Sequence, residues 1–456
     1  MLARARADLA GERALLLGLA VALGLAAGIR PSLGLGAALG IAFCLATLTD
    51  VTVGLVLFTV LSFLDVVNGG GGVASVTKAA GALLFGSWYI QRLVGTARTT
   101  GSAARLDPQL TIAIVSLALW SALSVTWAES SSRAMTSTVS FVLDMLLFPV
   151  VLVAVRRRDH LLAIMGAFVV GAVISTAYGF IHPAALGSRN YGRLTGGLGD
   201  ANEQAAVLVA AIPLAVGIAA TATRQWVRNA AWASAVFCAA GVLHTLSRGG
   251  LVALGAVLLA AVVFGGRWRP KAIVLLAVVA LGTVTYYGAI APLAARERVT
   301  MTSTSGRSDI WRVAWRTIKA HPVGGVGAGN FQIAAVHHVQ GVGALTSAYL
   351  IVDVPHVAHN VYLELLADLG IPGALAFIGV AVFSLLAAGR AARAFERQGD
   401  AQLEIASRCL VLSLVAFLVA DLFLSGEFSK QLWLIFALCS AALALSRKGT
   451  SMVSSG

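Results

Sequence analysis

The stretch "VDVPHVAHNVYLELLADLGIPG", residues 352–373, sets His356 and His359 three apart immediately before an apolar segment. Imidazole is the side chain that takes up and releases a proton near neutral pH. Such a pair at the edge of an apolar run therefore points to proton transfer at a membrane boundary. Metal ligation is a second use of the same spacing, but no third ligand accompanies the pair and no DxD or ExD motif occurs in the chain. An ordinary interfacial histidine is the third. Asn360 follows directly, and Pro372 interrupts the segment "VYLELLADLG", which predicts a bent or broken helix. Glu364 and Asp368 in its outer half predict a cavity there, because charge facing hydrocarbon is costly.

Proton transfer needs an electrophile, and cations upstream suggest an anionic one. "SGRSDIWRVAWRTIKAHP" (305–322) reads as a helix, N-capped by Ser308 or Asp309 and ended by His321-Pro322. Arg312, Arg316 and Lys319 form one basic stripe; Trp311, Trp315 and Ile318 form an apolar one beside it. That pattern suits a helix at headgroup depth with its cations toward phosphates, or a loop helix lying on the rest of the protein. Arg307 precedes the helix, where a guanidinium could meet an anion at the helix N-terminus. Arg248, in "LSRGG" (246–250), either snorkels to headgroups or faces a ligand, with Gly249 and Gly250 leaving room for its approach. The run "HPVGGVGAGNF" (321–331) offers backbone amides that could nest a phosphate, or is simply a turn.

The elements that must position these groups are membrane helices. Hydrophobic residues make up 58% of the 456 and charged residues 12%, with a mean hydropathy of +0.87. A water-soluble domain carries about twice that charged fraction. The composition and the length of the apolar runs predict an all-α polytopic membrane protein of about 12–14 transmembrane helices. Fourteen spans can be drawn, near 14–29, 33–49, 51–67, 79–97, 109–126, 136–155, 161–180, 203–222, 229–246, 250–264, 272–290, 359–388, 403–423 and 431–446. The net charge of +13 does not indicate nucleic acid, since the basic residues cluster in short loops as the positive-inside rule requires. Those clusters put both termini in the cytoplasm. Three segments then fall outside: 181–202, 244–250 and the large extracytoplasmic loop 291–358. Cys44, Cys238, Cys409 and Cys439 lie scattered in apolar segments and read as packing residues.

Four stretches taken together are similar to the O-antigen ligase and polymerase superfamily. They are "RLTGGLGDANEQAAVLVAAIPLA" (193–215), "LSRGGLVAL" (246–254), "GRSDIWRVAWRTIKAHPVGGVGAGNF" (306–331) and "AHNVYLELLADLGIPGALAFIG" (358–379). The resemblance implies a GT-C-type glycosyltransferase fold with one large extracytoplasmic loop. It also implies metal-independent, inverting transfer of a glycan from a polyprenyl (undecaprenyl) pyrophosphate carrier to an acceptor hydroxyl, with no cofactor. On this reading His359 is the base and Arg307 and Arg248 stabilise the leaving diphosphate. Arg193, Arg312, Arg316, Lys319, His356 and Asn360 are expected to bind substrate. The chain divides into N-terminal helices (1–192), a ligase-like core (193–390, including the loop 291–358) and C-terminal helices (391–456). The expected partners are the lipid-linked donor, a lipid or glycan acceptor and membrane lipids, in the bacterial inner membrane with the active site extracytoplasmic.

The chemistry agrees with the resemblance. Departure of a diphosphate without a metal needs arginines, whose forked donors match phosphate oxygens, and the incoming hydroxyl needs a base near neutral pH. A polymerase acting on the same donor is an alternative. So is a transporter or flippase, for which Asp144 would be the mid-membrane carboxylate; the absence of a clear internal repeat and the outward bias of the ionisable residues weigh against transport. A non-catalytic scaffold is the remaining alternative.

Overall fold

The computed structural model describes residues 31–64, 76–93, 106–186, 188, 190–300, 306–340, 345, 349–353 and 356–453. Of the described residues 81% are helical and none lies in a strand. In chain order the helices are α1 (Pro31–Thr49), α2 (Val51–Leu61), α3 (Val76–Leu93), α4 (Pro108–Ser124), α5 (Ser131–Met145), α6 (Leu147–Ala154), α7 (Arg158–Ile181), α8 (Ala201–Thr221) and α9 (Gln225–Thr245). There follow α10 (Arg248–Phe264), α11 (Arg269–Thr285), α12 (Leu293–Thr300), α13 (Arg307–Ala320), α14 (Phe331–Ala334), α15 (Tyr349–Val352), α16 (Val361–Gln398), α17 (Ala401–Ala420) and α18 (Lys430–Val453). The expected span 14–29 lies outside the described residues; each of the other thirteen falls on a helix.

Among the described residues, seven helices are long and apolar enough to cross a membrane: Ser131–Ala154 (α5 and α6 together), α7, α8, Gly266–Ile290 (containing α11), α16, α17 and the Lys430–Arg447 part of α18. This is fewer than the sequence reading of twelve to fourteen. Shorter apolar helical stretches occur at Gly40–Thr49, Val51–Leu61, Ala79–Ile90, Pro108–Ser124 and Arg248–Phe264, and α9 carries Gln225, Arg228, Asn229 and His244. α18 runs through the middle of the bundle, with every residue from Leu432 to Ala442 buried. Trp433 packs edge-on to Phe148, Phe377 and Phe436. The cysteines are free; Cys238, Cys409 and Cys439 are buried in packing positions.

The two ends of the bundle differ in chemistry. At one end buried Glu404 holds Arg267 at 2.5 Å and Arg408 at 3.0 Å, and Arg408 also donates to the Phe264 carbonyl at the end of α10. Asp107 holds Arg390 at 3.2 Å and Arg447 at 3.7 Å. These cations belong to clusters that the sequence assigns to the cytoplasm. α10 and α17 then run roughly 25–30 Å at 1.5 Å per residue, so Arg248 and Asp421 mark the opposite end.

α16 is broken, as its sequence predicts, but the break is at Gly370 (φ 64°, ψ −168°) and not at Pro372. Three carbonyls lose their helical partners there, and each finds another. Ala367 O accepts from the Val326 amide at 2.9 Å, Asp368 O from the Gly327 amide at 2.8 Å, and Leu369 O from Trp120 Nε1 at 2.7 Å. Ile371 N donates to Pro322 O at 2.9 Å. The loop 322–331 is thus seated in the break. A Cβ added at Gly370 would lie 2.1 Å from the Val323 oxygen, and one at Gly325 would lie 2.2 Å from the Asp368 oxygen. Gly370→Ala combines this clash with a left-handed φ and is expected to cost roughly 2–3 kcal/mol. Thermal unfolding of the purified variant measures it, and an unchanged midpoint would show that the break is not held as described.

Candidate functional site

The site is built at the end of the bundle that carries Arg248. The segment after α7 folds back so that Leu194 N donates to the His244 carbonyl. This delivers Arg193 to the C-terminus of α9, where Nε donates to Thr245 O at 2.9 Å. Its Nη1 donates to Asn190 Oδ1 at 3.1 Å and its Nη2 to Asn202 Oδ1 at 3.0 Å. A guanidinium has five N–H groups; among the described residues three are committed, one to a backbone carbonyl and two to amide side chains, which leaves two. Asn202 Oδ1 also accepts from Ser247 Oγ at 2.9 Å. Ser247 in turn caps α10 through the Gly250 amide at 3.1 Å, and Arg248 is the first residue of that helix. One amide side chain therefore joins Arg193 to the turn that carries Arg248.

Charge gathers here. Arg193 is held down at about 10, chiefly by burial, then by Arg298 and by Arg307, with Asp200 pulling the other way. Burial also lowers Arg307, with Arg248 adding to it and Asp200 again opposing. All these guanidiniums remain charged at neutral pH. Arg193, Arg248, Arg298 and Arg307 thus share one electrostatic neighbourhood, and Asp200 is the carboxylate acting on both Arg193 and Arg307. Asp200 is itself engaged as the N-cap of α8, accepting from the amides of Asn202 and Glu203.

His359 enters from the other side. Arg307 opens α13, and Trp311 stands one turn later on the same face, roughly 6 Å along the axis. Trp311 Nε1 donates to Ala358 O at 2.8 Å, which ties that face to the residue before His359. His359 is half-buried with φ at +51°, a left-handed conformation that costs a non-glycine residue about 1 kcal/mol or more. Asn360 N-caps α16 through the Leu363 amide at 3.1 Å and donates to Leu422 O at 3.1 Å. The next residue, Phe423, packs so closely on Gly249 that a Cβ added there would sit 2.8 Å from the Phe423 Cβ. Hydrogen bonds, packing and chain connectivity link Arg193, Asn202, Ser247 and Arg248 to Gly249, Phe423 and Leu422, then to Asn360 and His359, then to Ala358, Trp311 and Arg307, and the charge interaction of Arg307 with Arg193 completes the ring.

Several sequence expectations need correction. The glycines after Arg248 do not clear a path for a ligand; they admit Phe423 at Gly249 and Ala205 at Gly250. The run 321–331 is not an open nest. From Gly325 to Phe331 every amide has a protein acceptor: His321 O, Ala367 O, Asp368 O, Ser124 Oγ, Asp368 Oδ2, Gly327 O and Asp368 Oδ1. Glu364 and Asp368 do not line a cavity but bind amides of the loops folded over them, and each is 5% exposed or less. α13 begins at Arg307 after a left-handed Gly306, so neither Ser308 nor Asp309 is its N-cap. Its buried face is Ile310, Val313, Ala314, Thr317 and Ile318, packed with Phe331 and Ala358. The helix therefore lies on the protein.

The basic stripe is divided accordingly. Arg312 lies 3.5 Å from Asp309, Arg316 donates to the carbonyls of His338 and Val339, and Lys319 sits over exposed Trp315. These three are not brought into the ring. His356 and His359 have ring centroids 6.5 Å apart. Among the described residues no three His, Cys, Asp or Glu side chains are arranged to hold a metal ion.

Sequence reading missed Arg298, Asp200, Asn202 and Phe423. Asn202 and Asp200 carried a faint signal as helix-capping types at the mouth of α8. Arg298 had only its charge in a long loop, and Phe423 had none. It also missed Asp421 and Glu427, which burial pushes well above the usual carboxylate range, with Glu427 adding to the shift of Asp421 and Glu364 and Glu203 adding to that of Glu427.

A helical bundle with seven candidate membrane spans and a cationic cluster walled by a large loop defines an integral membrane protein equipped for an anionic ligand. Residues 233–378 match the family model of the O-antigen ligase domain, Wzy_C. That match covers about a third of the chain and supports a membrane enzyme of O-antigen ligase or polymerase type. No curated protein matches the chain. The matched segment contains Arg248, Arg307 and His359 and omits Arg193 and Asn202, which join through hydrogen bonds alone. Asn202→Ala removes the acceptor shared by Arg193 and Ser247 and is expected to lower stability by about 1–3 kcal/mol. It should also lower glycan-transfer rate about tenfold to a hundredfold through misplacement. Unfolding midpoint and initial rate check both; wild-type values for the pair would remove the tether from the account.

Proposed function

We propose that the protein transfers a glycan from a polyprenyl (undecaprenyl) pyrophosphate carrier to an acceptor hydroxyl at the outer leaflet of the bacterial inner membrane, as an O-antigen ligase of GT-C type. The observation that supports the proposal is the ring of links that joins the Arg193, Arg248 and Arg307 cluster to the turn carrying His359. His359 accepts the hydroxyl proton of the acceptor, the freed oxygen attacks the anomeric carbon, and the bond from that carbon to the diphosphate oxygen breaks with inversion. Arg248 and Arg307 bind the departing diphosphate; their fixed charge does there what a metal would otherwise do. Arg193 adds charge from its two uncommitted N–H groups, and Arg298 contributes at longer range.

His356 and Asn360 flank the base, His356 toward the acceptor and Asn360 as the cap that aims the turn. Arg312, Arg316 and Lys319 serve the glycan or the headgroups from the outer face of α13. Residues 193–390 are the transferring core, with 1–192 and 391–456 as membrane frame. Residues 421–425 complete the wall. In this topology both termini are cytoplasmic, and the loop 291–358 is extracytoplasmic. A polymerase would use the same donor wall and differ in its acceptor. Asp144, the carboxylate on which a transport reading would rest, is buried in α5.

Two substitutions separate the roles. His359→Ala should lower transfer by about 10²–10⁴-fold, the usual contribution of a positioned base, with the unfolding midpoint retained. Arg307→Lys should be impaired by more than tenfold, because a point charge does not replace a two-pronged donor. Transfer of a lipid-linked oligosaccharide in proteoliposomes measures both, and near-wild-type rates in either would remove that residue from the mechanism.

A further inference from the structure

His359 does not choose its own conformation. A left-handed histidine persists only where its neighbours over-determine it, and the peptide groups on both sides of it are pinned. The Ala358 carbonyl is held by Trp311. The Asn360 side chain is held by the Leu363 amide and Leu422 O, and the Val361 amide donates to Asp421 O at 2.9 Å and Leu424 O at 3.1 Å. The remaining tether is the Ala358 amide, which donates to Glu364 Oε2 at 3.2 Å; the same oxygen accepts the hydroxyl of Ser425.

Glu364 lies four residues after the N-cap Asn360 and reaches back past it, beyond His359, to Ala358. This extends the capping-box idea by one residue into the helix and by two residues before the N-cap: a side chain in the first turns of a helix fixes the chain that enters it. Two features single the carboxyl out. It is 4% exposed, and burying such a group is costly unless it is well bonded. It also stands among acids, with Asp368 and Glu427 both in its electrostatic reach. A buried carboxyl in acidic company, bonded only to a backbone amide and a serine, adds little to packing that an apolar side chain would not add. What it does add is the direction of the turn that carries His359.

We infer that Glu364, with Ser425 behind it, is the positioning residue for His359, fixing the left-handed turn from which the imidazole is presented. Glu364 touches neither donor nor acceptor on this assignment. The hydrogen-bonding shape of its side chain matters and its charge does not, because what it must supply is an acceptor for one amide. The catalytic consequence rests on the reading of His359 as base, whereas the conformational consequence does not.

The test uses full-length protein in detergent or proteoliposomes and the variants Glu364→Gln and Glu364→Ala. Glu364→Gln keeps an acceptor at the same place and should hold kcat within about threefold of wild type. Glu364→Ala should lower kcat at least a hundredfold with donor KM within a factor of two or three. Combined with His359→Ala it should add no further loss, as residues acting as one unit do. Independently of activity, carbethoxylation of His359 by diethyl pyrocarbonate, followed peptide by peptide, should change severalfold in Glu364→Ala and not in Glu364→Gln, with His182 as internal reference. An unchanged His359 reaction rate in folded Glu364→Ala overturns the assignment, as does a loss in Glu364→Gln equal to that in Glu364→Ala. If the His359 rate shifts while transfer continues, the positioning stands and the base reading of His359 fails. Should Glu364→Ala fail to fold, Ser425→Ala carries the same test, with the His359 rate expected to shift in the same direction and an unchanged rate again overturning it.

Discussion

Everything at the Arg248 end of this bundle answers to one constraint: guanidinium groups of like charge must be held together when, among the described residues, Asp200 alone acts as a counter-charge on both Arg193 and Arg307. Partial burial makes the repulsion stronger than it would be in water, so the cluster needs anchors that do not neutralise it. Carbonyl and amide oxygens meet that need, and they are what Arg193 uses at Thr245, Asn190 and Asn202. Neutral acceptors orient the cations and leave their field intact for a ligand. Contrast the other end of the protein, where Arg267 and Arg408 converge on buried Glu404. There the charges are matched in place and the result is a brace between helices.

The second determinant is the break in α16. A continuous helix through Gly370 would satisfy its own carbonyls and give the loop 322–331 nowhere to dock. Broken, it presents three orphan carbonyls and the Asp368 carboxylate; the loop meets two of the carbonyls and the carboxylate with Val326, Gly327, Gly329 and Phe331 amides, and Trp120 takes the third carbonyl. Docking that loop fixes the far end of α13, and α13 then carries Arg307 and Trp311 to the His359 turn. The glycines that look like a phosphate nest are therefore the means by which one helix is locked against another. Function enters at a distance of two elements, through the register of α13.

How much of this could be read from the chain depends on what the residues interact with. The helices were legible because apolar runs of span length report directly on a hydrocarbon solvent. The break in α16 was legible as a fact and misplaced by two residues, since Pro372 marks a lost donor but only Gly370 can adopt the required φ. Arg248, Arg307 and His359 stood out through their types and spacing, and the structure brings the first two into one electrostatic neighbourhood and ties His359 to α13. The stripe of Arg312, Arg316 and Lys319 misled because helical periodicity shows which residues share a face, and not which face the rest of the protein covers. Asn202 was legible only faintly, as a helix-capping type, and Phe423 not at all: their roles arise from contacts that local sequence does not mark, with Arg193 and Ser247 in one case and Gly249 in the other.

The most direct test of the cationic site is ligand-induced stabilisation of the purified protein, comparing a polyprenyl diphosphate with the uncharged polyprenol of the same chain length. A ligand of the folded state at about a hundred times its Kd stabilises by about 2.7 kcal/mol. The account predicts that the diphosphate raises the unfolding midpoint well above the alcohol, and that the difference disappears in Arg248→Ala and Arg307→Ala. Equal stabilisation by the two lipids, or a full diphosphate effect in both variants, would contradict it.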